Sequence, residues 1–245
     1  MKHLAIPTMF LLLLSAPSMG RADDQKTEDR QEEKSFEREV TIKVKLHYLL
    51  YLPKGYDEDQ NKKWPLVLFL HGAGESGDNL QKVKAHGPPS LVAKGQDFPF
   101  ILVSPQSPGR GWNPDTLNGL LDDVAEHYRV DPDRVYLTGL SMGGYGTWTL
   151  AAAHPDRFAA IVPICGGGNP KDAFKLKDVP TWVFHGARDN TVPLGRSTDM
   201  VEALKAADAR EVKFTVYPDA GHDSWTETYN NPEVFEWLLS HKRGE

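Results

Sequence analysis

The 245-residue sequence has a single cysteine, fewer basic than acidic residues and no apolar run long enough to span a membrane. Cys165 cannot form an internal disulfide, and its apolar neighbours predict a buried structural thiol rather than a reactive one. The net charge is −6 and the basic residues are not clustered, so nucleic acid and anionic membrane surfaces are poor candidates for partners. The longest apolar stretch, Leu4–Leu14, is shorter than the roughly 20 residues that cross a bilayer.

Residues 1–22 have the pattern of a secretory signal peptide. A short polar start is followed by the apolar Leu4–Leu14 and by the small-residue cleavage site Gly20-Arg21-Ala22. An uncleaved membrane anchor is the alternative. Residues 23–35 are almost wholly polar or charged and are predicted to be a disordered spacer. We therefore expect a secreted or periplasmic protein without stable membrane association after cleavage, whose residues 36–245 form one domain.

From residue 36 onward, apolar runs alternate with amphipathic segments. Pro65–His71 and Phe100–Val103 are continuous apolar runs, which is typical of strands buried on both faces of a parallel sheet. Further strands are predicted at 134–138, 158–164, 181–185 and 212–217, helices at 113–128, 145–154, 194–207 and 234–239, and a two-strand edge meander between 36 and 52. This alternation predicts an α/β fold with a mostly parallel sheet and helices on both faces.

The most informative motif is Gly139-Leu140-Ser141-Met142-Gly143, which lies between a predicted strand and a predicted helix. A strand that turns sharply into a helix strains the central residue and leaves no room for side chains beside it. Glycines on either side of a serine meet that demand. The motif therefore predicts a serine hydroxyl that is exposed above the edge of the sheet.

Three other predicted strand exits carry polar or glycine-rich segments: His71-Gly72-Ala73, Asp189 and His222. Because ligands bind at the carboxyl ends of the strands in open α/β sheets, we expect these residues to converge on Ser141. The order Ser, Asp, His along the chain is the one expected of an α/β-hydrolase.

Two other acids compete with Asp189 for the position beside His222. Asp219 and Asp223 lie so near His222 on one loop that their side chains are less well placed than one from a separate strand exit. Alternatively, Asp189 only caps a turn.

The chain resembles α/β-hydrolases of the phospholipase/carboxylesterase and feruloyl-esterase-like group, some of which are labelled prolyl-oligopeptidase-like. The resemblance covers about Phe36 to Leu239. It is carried by HGAGESGDN, WNPDTLNGLLDDV, DPDRVYLTGLSMGGYGTW, RFAAIVPICGGG, HGARDNTVP and AGHDSW. It implies an α/β-hydrolase catalytic domain with Ser141 as nucleophile, Asp189 as acid and His222 as base. Dienelactone hydrolases, near neighbours in fold, use a cysteine nucleophile, so the serine argues against that branch.

The chemistry of acyl transfer explains these residue types. A serine hydroxyl is a weak nucleophile, so His222 is expected to take its proton and return it to the leaving alcohol, while Asp189 fixes the imidazole tautomer. Negative charge develops on the carbonyl oxygen and needs preformed N–H donors. The backbone of Met142 is the first candidate donor, and Ala73 is the second, with Gly72 as the alternative.

No cofactor and no metal are predicted. His71 and Glu75 are four residues apart, but on a glycine-rich loop and without a third ligand. The glycines of that loop lack the Lys-Ser/Thr pair of a phosphate-binding loop. His71 and His185 are expected to be structural. The remaining histidines are expected to be solvated or to serve packing: His47, His86, His127, His154 and His241.

A lid domain is not expected, because only about fifteen residues separate Cys165 from Thr181. The resulting open cleft suits bulky or polymer-linked substrates, and Trp112, Tyr145 and Trp225 are candidate walls, or else ordinary core aromatics. The sequence thus favours a secreted serine carboxylesterase acting on small-molecule or polysaccharide-linked esters of the feruloyl or acetyl type. A peptidase, an acyltransferase and a catalytically silent binding module are the alternatives, and the oligomeric state is not encoded in any recognisable pattern.

Overall fold

The computed structural model describes residues 31–38 and 43–245. The chain divides into two units, residues 1–42 and 43–245. In the first unit, residues 31–38 are exposed and form neither helix nor strand. The predicted signal peptide and most of the predicted spacer lie outside the described residues and stay predictions. Among the described helices, none is long and apolar enough to cross a membrane.

The second unit is built on a seven-stranded sheet. Its strands are β1 (His47–Tyr51), β2 (Trp64–Leu70), β3 (Ile101–Gln106), β4 (Val130–Leu140), β5 (Ala160–Ile164), β6 (Thr181–Gly186) and β7 (Val212–Tyr217). The α-helices are α1 (Gly87–Ala93), α2 (Pro114–His127), α3 (Met142–Ala153), α4 (Gly195–Ala206), α5 (Trp225–Asn230) and α6 (Pro232–Ser240). Short 3₁₀ helices lie at Ala73–Glu75, Leu80–Ala85, Pro155–Arg157 and Pro170–Leu176.

The strand order is β1-β3-β2-β4-β5-β6-β7, and every pair except β1–β3 is parallel. The predicted mostly parallel sheet is confirmed. The predicted edge meander is wrong in part: β1 pairs with β3, and residues 43–46 form no strand, while residues 39–42 lie outside the described residues. An edge strand needs only one neighbour, and β3 supplies it.

Helices cover both faces of the sheet, as predicted. Alternate residues of β2 enter two different hydrophobic clusters, because successive side chains of a strand point to opposite faces. Leu117 of α2, Trp148 of α3 and Met200 of α4 belong to one cluster, and Tyr229 of α5 and Phe235 of α6 to the other. The core therefore has two layers, with the sheet between them.

The start of α2 shows how the local sequence sets a boundary. The side chain of Asn113 accepts a hydrogen bond from the backbone N–H of Thr116 at 2.8 Å, and Pro114 occupies the first helical position. The apolar side chains of α2 are buried at helical spacing. The helices α1 and α5 were not predicted, because each has fewer than eight residues and no clear apolar stripe.

Candidate active site

Ser141 lies at a sharp turn between β4 and α3. Its backbone has φ 52° and ψ −115°, a conformation that costs energy in a residue with a side chain. A Cβ atom added at Gly139 would overlap the carbonyl oxygen of Gly143, and one added at Gly143 would overlap that of Leu70. Both glycines of the motif are thus sterically required for this turn.

The structure brings Ser141, His222 and Asp189 together. His222 Nε2 lies 2.9 Å from Ser141 Oγ, and His222 Nδ1 lies 2.7 Å from Asp189 Oδ2. Because a carboxylate only accepts hydrogen bonds, the imidazole proton is on Nδ1, and Nε2 is free to accept the serine proton. The Asp189 side chain is fully buried, whereas the His222 side chain is 22% exposed. The imidazole therefore has solvent on one side and a fixed anion on the other.

The carboxylate of Asp189 both caps a turn and contacts the imidazole. Its Oδ1 accepts the backbone N–H groups of Thr191 and Val192, each at 2.8 Å, while Oδ2 faces His222 and, at 3.3 Å, Nε2 of His185. Burial raises the pKa of Asp189, but the hydrogen bonds from His222, Val192 and Thr191 outweigh burial, so this pKa lies below its ordinary value. The carboxylate is therefore ionised at neutral pH.

The two competing acids are engaged elsewhere. Asp219 pairs with Arg188 Nη2 at 2.7 Å on the surface. Asp223 accepts hydrogen bonds from the backbone N–H and the hydroxyl of Thr226 at 3.0 and 2.9 Å, at the start of α5. The geometry thus favours Asp189 as the partner of His222.

The loop after β2 runs beside the serine and is anchored by His71. Ser107 donates its backbone N–H to His71 Nε2 at 3.0 Å, so the ring proton is on Nδ1, which donates to the carbonyl oxygen of Gly72 at 2.5 Å. Burial lowers the pKa of His71. A Cβ atom at Gly72 would lie 3.7 Å from Ser141 Cβ. In a trans peptide the N–H points away from the carbonyl, so His71 also sets the direction of the Ala73 N–H.

Trp112 and Tyr145 lie on one flank of the serine. They line a cavity of about 420 Å³ together with Gly111, Ser141, Met142, Gly146 and Thr149. Gly111 donates its backbone N–H to Met142 Sδ at 3.1 Å, which ties the Trp112 loop to the residue after the nucleophile. The connection from β5 to β6 contains only a 3₁₀ helix among the regular elements, so it forms no lid domain.

Trp225 lies beside His222. Its ring meets the imidazole of His222 edge to face, with centroids 5.2 Å apart. Trp225 also contacts the ring of His86, with centroids 5.4 Å apart. All three aromatic residues that the sequence singled out therefore surround the serine and histidine.

Cys165, Asp189 and His222 place possible metal-ligating atoms within 4.8 Å of one another. Burial raises the pKa of the Cys165 thiol to about 12, so the thiolate that binds metals is disfavoured. The carboxylate and the imidazole are already bonded to each other. We therefore assign no metal to this group.

Sequence reasoning missed two residues at this site, Glu75 and His86. Glu75 is on the same glycine-rich loop as Ala73, and its carboxylate lies 3.8 Å from His86 Nε2. A charged residue in a glycine-rich loop beside the predicted nucleophile could have identified Glu75 as a site residue. His86 was expected to be solvated or to serve packing, and no motif connects it to the serine.

Comparison with known proteins finds similarity to hydrolases, including esterases. Residues 114–234, which include Ser141, Asp189 and His222, match the model of the Dienelactone hydrolase family. The serine at position 141 was expected to argue against that branch, yet about half of the chain matches this family's model. A thermostable esterase of known structure is 35% identical, with a TM-score of 0.71 over 82% of this chain and 60% of the other.

Two curated relatives share parts of the chain. Poly(3-hydroxyalkanoate) depolymerase C of Paucimonas lemoignei is 33% identical over 42% of this chain, and the match covers 28% of that protein. Probable feruloyl esterase C of Aspergillus terreus is 25% identical over 62% of this chain, and 58% of the esterase is covered. The chain thus spans only part of the length of these relatives. The seven-stranded sheet and these matches give the chain the α/β-hydrolase fold, and the chain resembles esterases and other hydrolases of that fold.

Proposed function

We propose that this protein is a secreted serine carboxylic ester hydrolase that works through an acyl-enzyme on Ser141. The observation that carries the proposal is the continuous hydrogen-bonded series from Ser141 Oγ through His222 to Asp189 Oδ2. Nucleophile and base are within hydrogen-bond reach, and the base is oriented by a third group. This arrangement activates a serine hydroxyl at neutral pH.

The reaction follows from this geometry. Ser141 Oγ attacks the ester carbonyl while His222 Nε2 takes the hydroxyl proton, and the tetrahedral intermediate expels the alcohol, which receives that proton. Water then attacks the acyl-enzyme, again with His222 as base, and releases the carboxylic acid and free Ser141. The buried anion of Asp189 stabilises the imidazolium in both steps.

We assign two backbone N–H groups to stabilise the negative charge that develops on the carbonyl oxygen. Met142 begins α3, so its N–H has no partner within the helix. The N–H of Ala73 comes from the loop that passes beside Ser141 and is oriented by His71. Removing one such donor typically lowers kcat by about 10²–10³.

We assign bulky or carbohydrate-linked esters as the substrate class. The connection from β5 to β6 forms no lid domain, and aromatic side chains lie beside both the serine and the histidine. Such faces suit phenolic acyl groups and sugar rings. The partial similarity to a probable feruloyl esterase supports the same class.

The proposal is tested with Ser141→Ala, using Ser240→Ala at the exposed end of α6 as the matched control. With 4-nitrophenyl acetate, Ser141→Ala is expected to lower kcat by about 10⁴–10⁶, whereas the control retains wild-type turnover. A fluorophosphonate probe should label Ser141 and not its alanine variant. Undiminished turnover by Ser141→Ala contradicts the assignment.

The same preparation distinguishes the other functions that share this site. A peptidase would cleave peptide anilides faster than the matched esters, and an acyltransferase would form a new ester when an alcohol acceptor is added. A silent binding module would not react with the fluorophosphonate. A panel of acetyl, butyryl and feruloyl esters then ranks the acyl groups.

A further inference from the structure

Glu75 is a buried carboxylate whose function is not explained by the triad. The residue is 8% exposed, and it lies two positions after Ala73 on the loop beside Ser141. A Cβ atom at Gly72 would lie 3.2 Å from Glu75 Oε2 and 3.7 Å from Ser141 Cβ. The carboxylate and the nucleophile therefore flank the same glycine.

The described residues provide this carboxylate with no hydrogen bond. The two imidazole nitrogens that face it, His71 Nδ1 and His86 Nε2, lie 3.9 and 3.8 Å away, beyond hydrogen-bond reach. The His71 proton is already donated to Gly72. Neither Glu75 oxygen is among the fully enclosed polar atoms that lack a partner, so solvent or a ligand can reach the carboxylate and supply the missing donor.

Glu75 and His86 are spaced for one bridging hydroxyl. At 3.8 Å the acceptor and the ring nitrogen are too far apart for a direct hydrogen bond, but one oxygen beside them can lie within hydrogen-bond distance of both. A hydroxyl donates to the carboxylate and accepts from the imidazole N–H, so it uses both groups. An ammonium group has no acceptor for that N–H, and the geometry therefore favours a hydroxyl over an amine.

Aromatic contacts connect this pair to His222. His222 Nε2 returns its proton to the departing oxygen, so the alcohol portion of the substrate must lie against His222. Trp225 contacts His222, and His86 contacts Trp225. Trp225 provides an apolar surface of the kind on which a sugar ring packs.

We propose that Glu75 and His86 form a hydroxyl-binding subsite for the sugar portion of a sugar-linked ester, with Trp225 as its apolar wall. The inference rests on the proposed esterase function and deepens it. Glu75 and His86 take no part in proton transfer. They bind the alcohol portion through one of its free hydroxyls, and they distinguish a sugar ester from a simple alkyl ester.

The test compares two esters with the same acyl group. Methyl xylopyranoside monoacetate and ethyl acetate differ only in the alcohol, and acetate release measures kcat/KM for each. Glu75→Gln removes the charge at constant size, and His86→Phe keeps the ring contact with Trp225 but removes the N–H. Glu227→Gln, an exposed glutamate on α5, is the matched control.

Wild type and Glu227→Gln are expected to prefer the sugar ester. Glu75→Gln and His86→Phe should each lower the ratio of kcat/KM for the sugar ester to that for ethyl acetate by about 10-fold or more, because hydrogen bonds to charged groups are lost. Equal losses on both esters, or an unchanged ratio, overturn the subsite. If wild type cleaves neither ester, the proposed function itself fails, whereas cleavage of both without preference overturns only this inference. If Glu75→Gln does not fold, the His86→Phe ratio decides.

Discussion

His71 donates its Nδ1 proton to the carbonyl oxygen of Gly72 at 2.5 Å, and this bond fixes the peptide that joins Gly72 to Ala73. On its other side the ring accepts the backbone N–H of Ser107 at 3.0 Å. The bond from Ser107 requires the neutral ring, because a protonated Nε2 could not accept it. The loop beside Ser141 is therefore held by one buried, uncharged imidazole.

The stability of the fold should consequently depend on pH through His71. Burial lowers the pKa of His71 from its ordinary value of 6.5, so below that pH the unfolded chain binds a proton that the folded chain does not. The stability contributed by the neutral ring is complete above pH 6.5 and is lost as the pH falls. We expect the free energy of unfolding to decrease more steeply from pH 7 to pH 5 in wild type than in His71→Gln, measured by urea denaturation. Identical slopes in the two proteins would contradict this account.

Asp189→Asn should lower kcat strongly while leaving the fold intact. Asparagine preserves the size of the side chain but removes the anion that holds Nδ1–H of His222 and stabilises the imidazolium, and the expected loss with 4-nitrophenyl acetate is about 10⁴-fold. Asp219→Asn is the control, because Asp219 is an exposed partner of Arg188 and is one of the two acids that compete with Asp189 in the sequence. Circular dichroism verifies folding of both variants. A large loss in Asp219→Asn with none in Asp189→Asn would exchange their roles.

The strand exits could be predicted because local patterns suffice for them. β2 is a continuous apolar run that ends at a histidine-glycine pair, and β4 ends at the glycine-flanked Ser141. In a parallel sheet the carboxyl ends of strands share one edge, so the order of residues along the chain was enough to bring Ser141 and His222 together. The mostly parallel pairing and the helices on both faces follow from the same alternation.

The contacts made by side chains across the cleft could not be predicted. Glu75 lies on the loop after β2, and His86 precedes α1, a short helix with no periodic signal. The tautomer of His71 depends on the backbone of Ser107, which follows a different strand. Long-range pairs of this kind depend on tertiary packing, which no pattern within one segment encodes.

Cys165 should be chemically inert in the folded protein. Its side chain is fully buried behind the site, and burial raises the pKa of the thiol to about 12, so at pH 8 only about one thiol in 10⁴ is the reactive thiolate. The backbone N–H of Cys165 also donates to Phe184 at 2.9 Å, which holds the residue in the packed region between β5 and β6. Titration with 5,5′-dithiobis(2-nitrobenzoic acid) at pH 8 should therefore detect almost no thiol in the native protein and one per chain in guanidinium chloride. Rapid stoichiometric labelling of the native protein, accompanied by loss of esterase activity, would show instead that reagents reach the back of the triad.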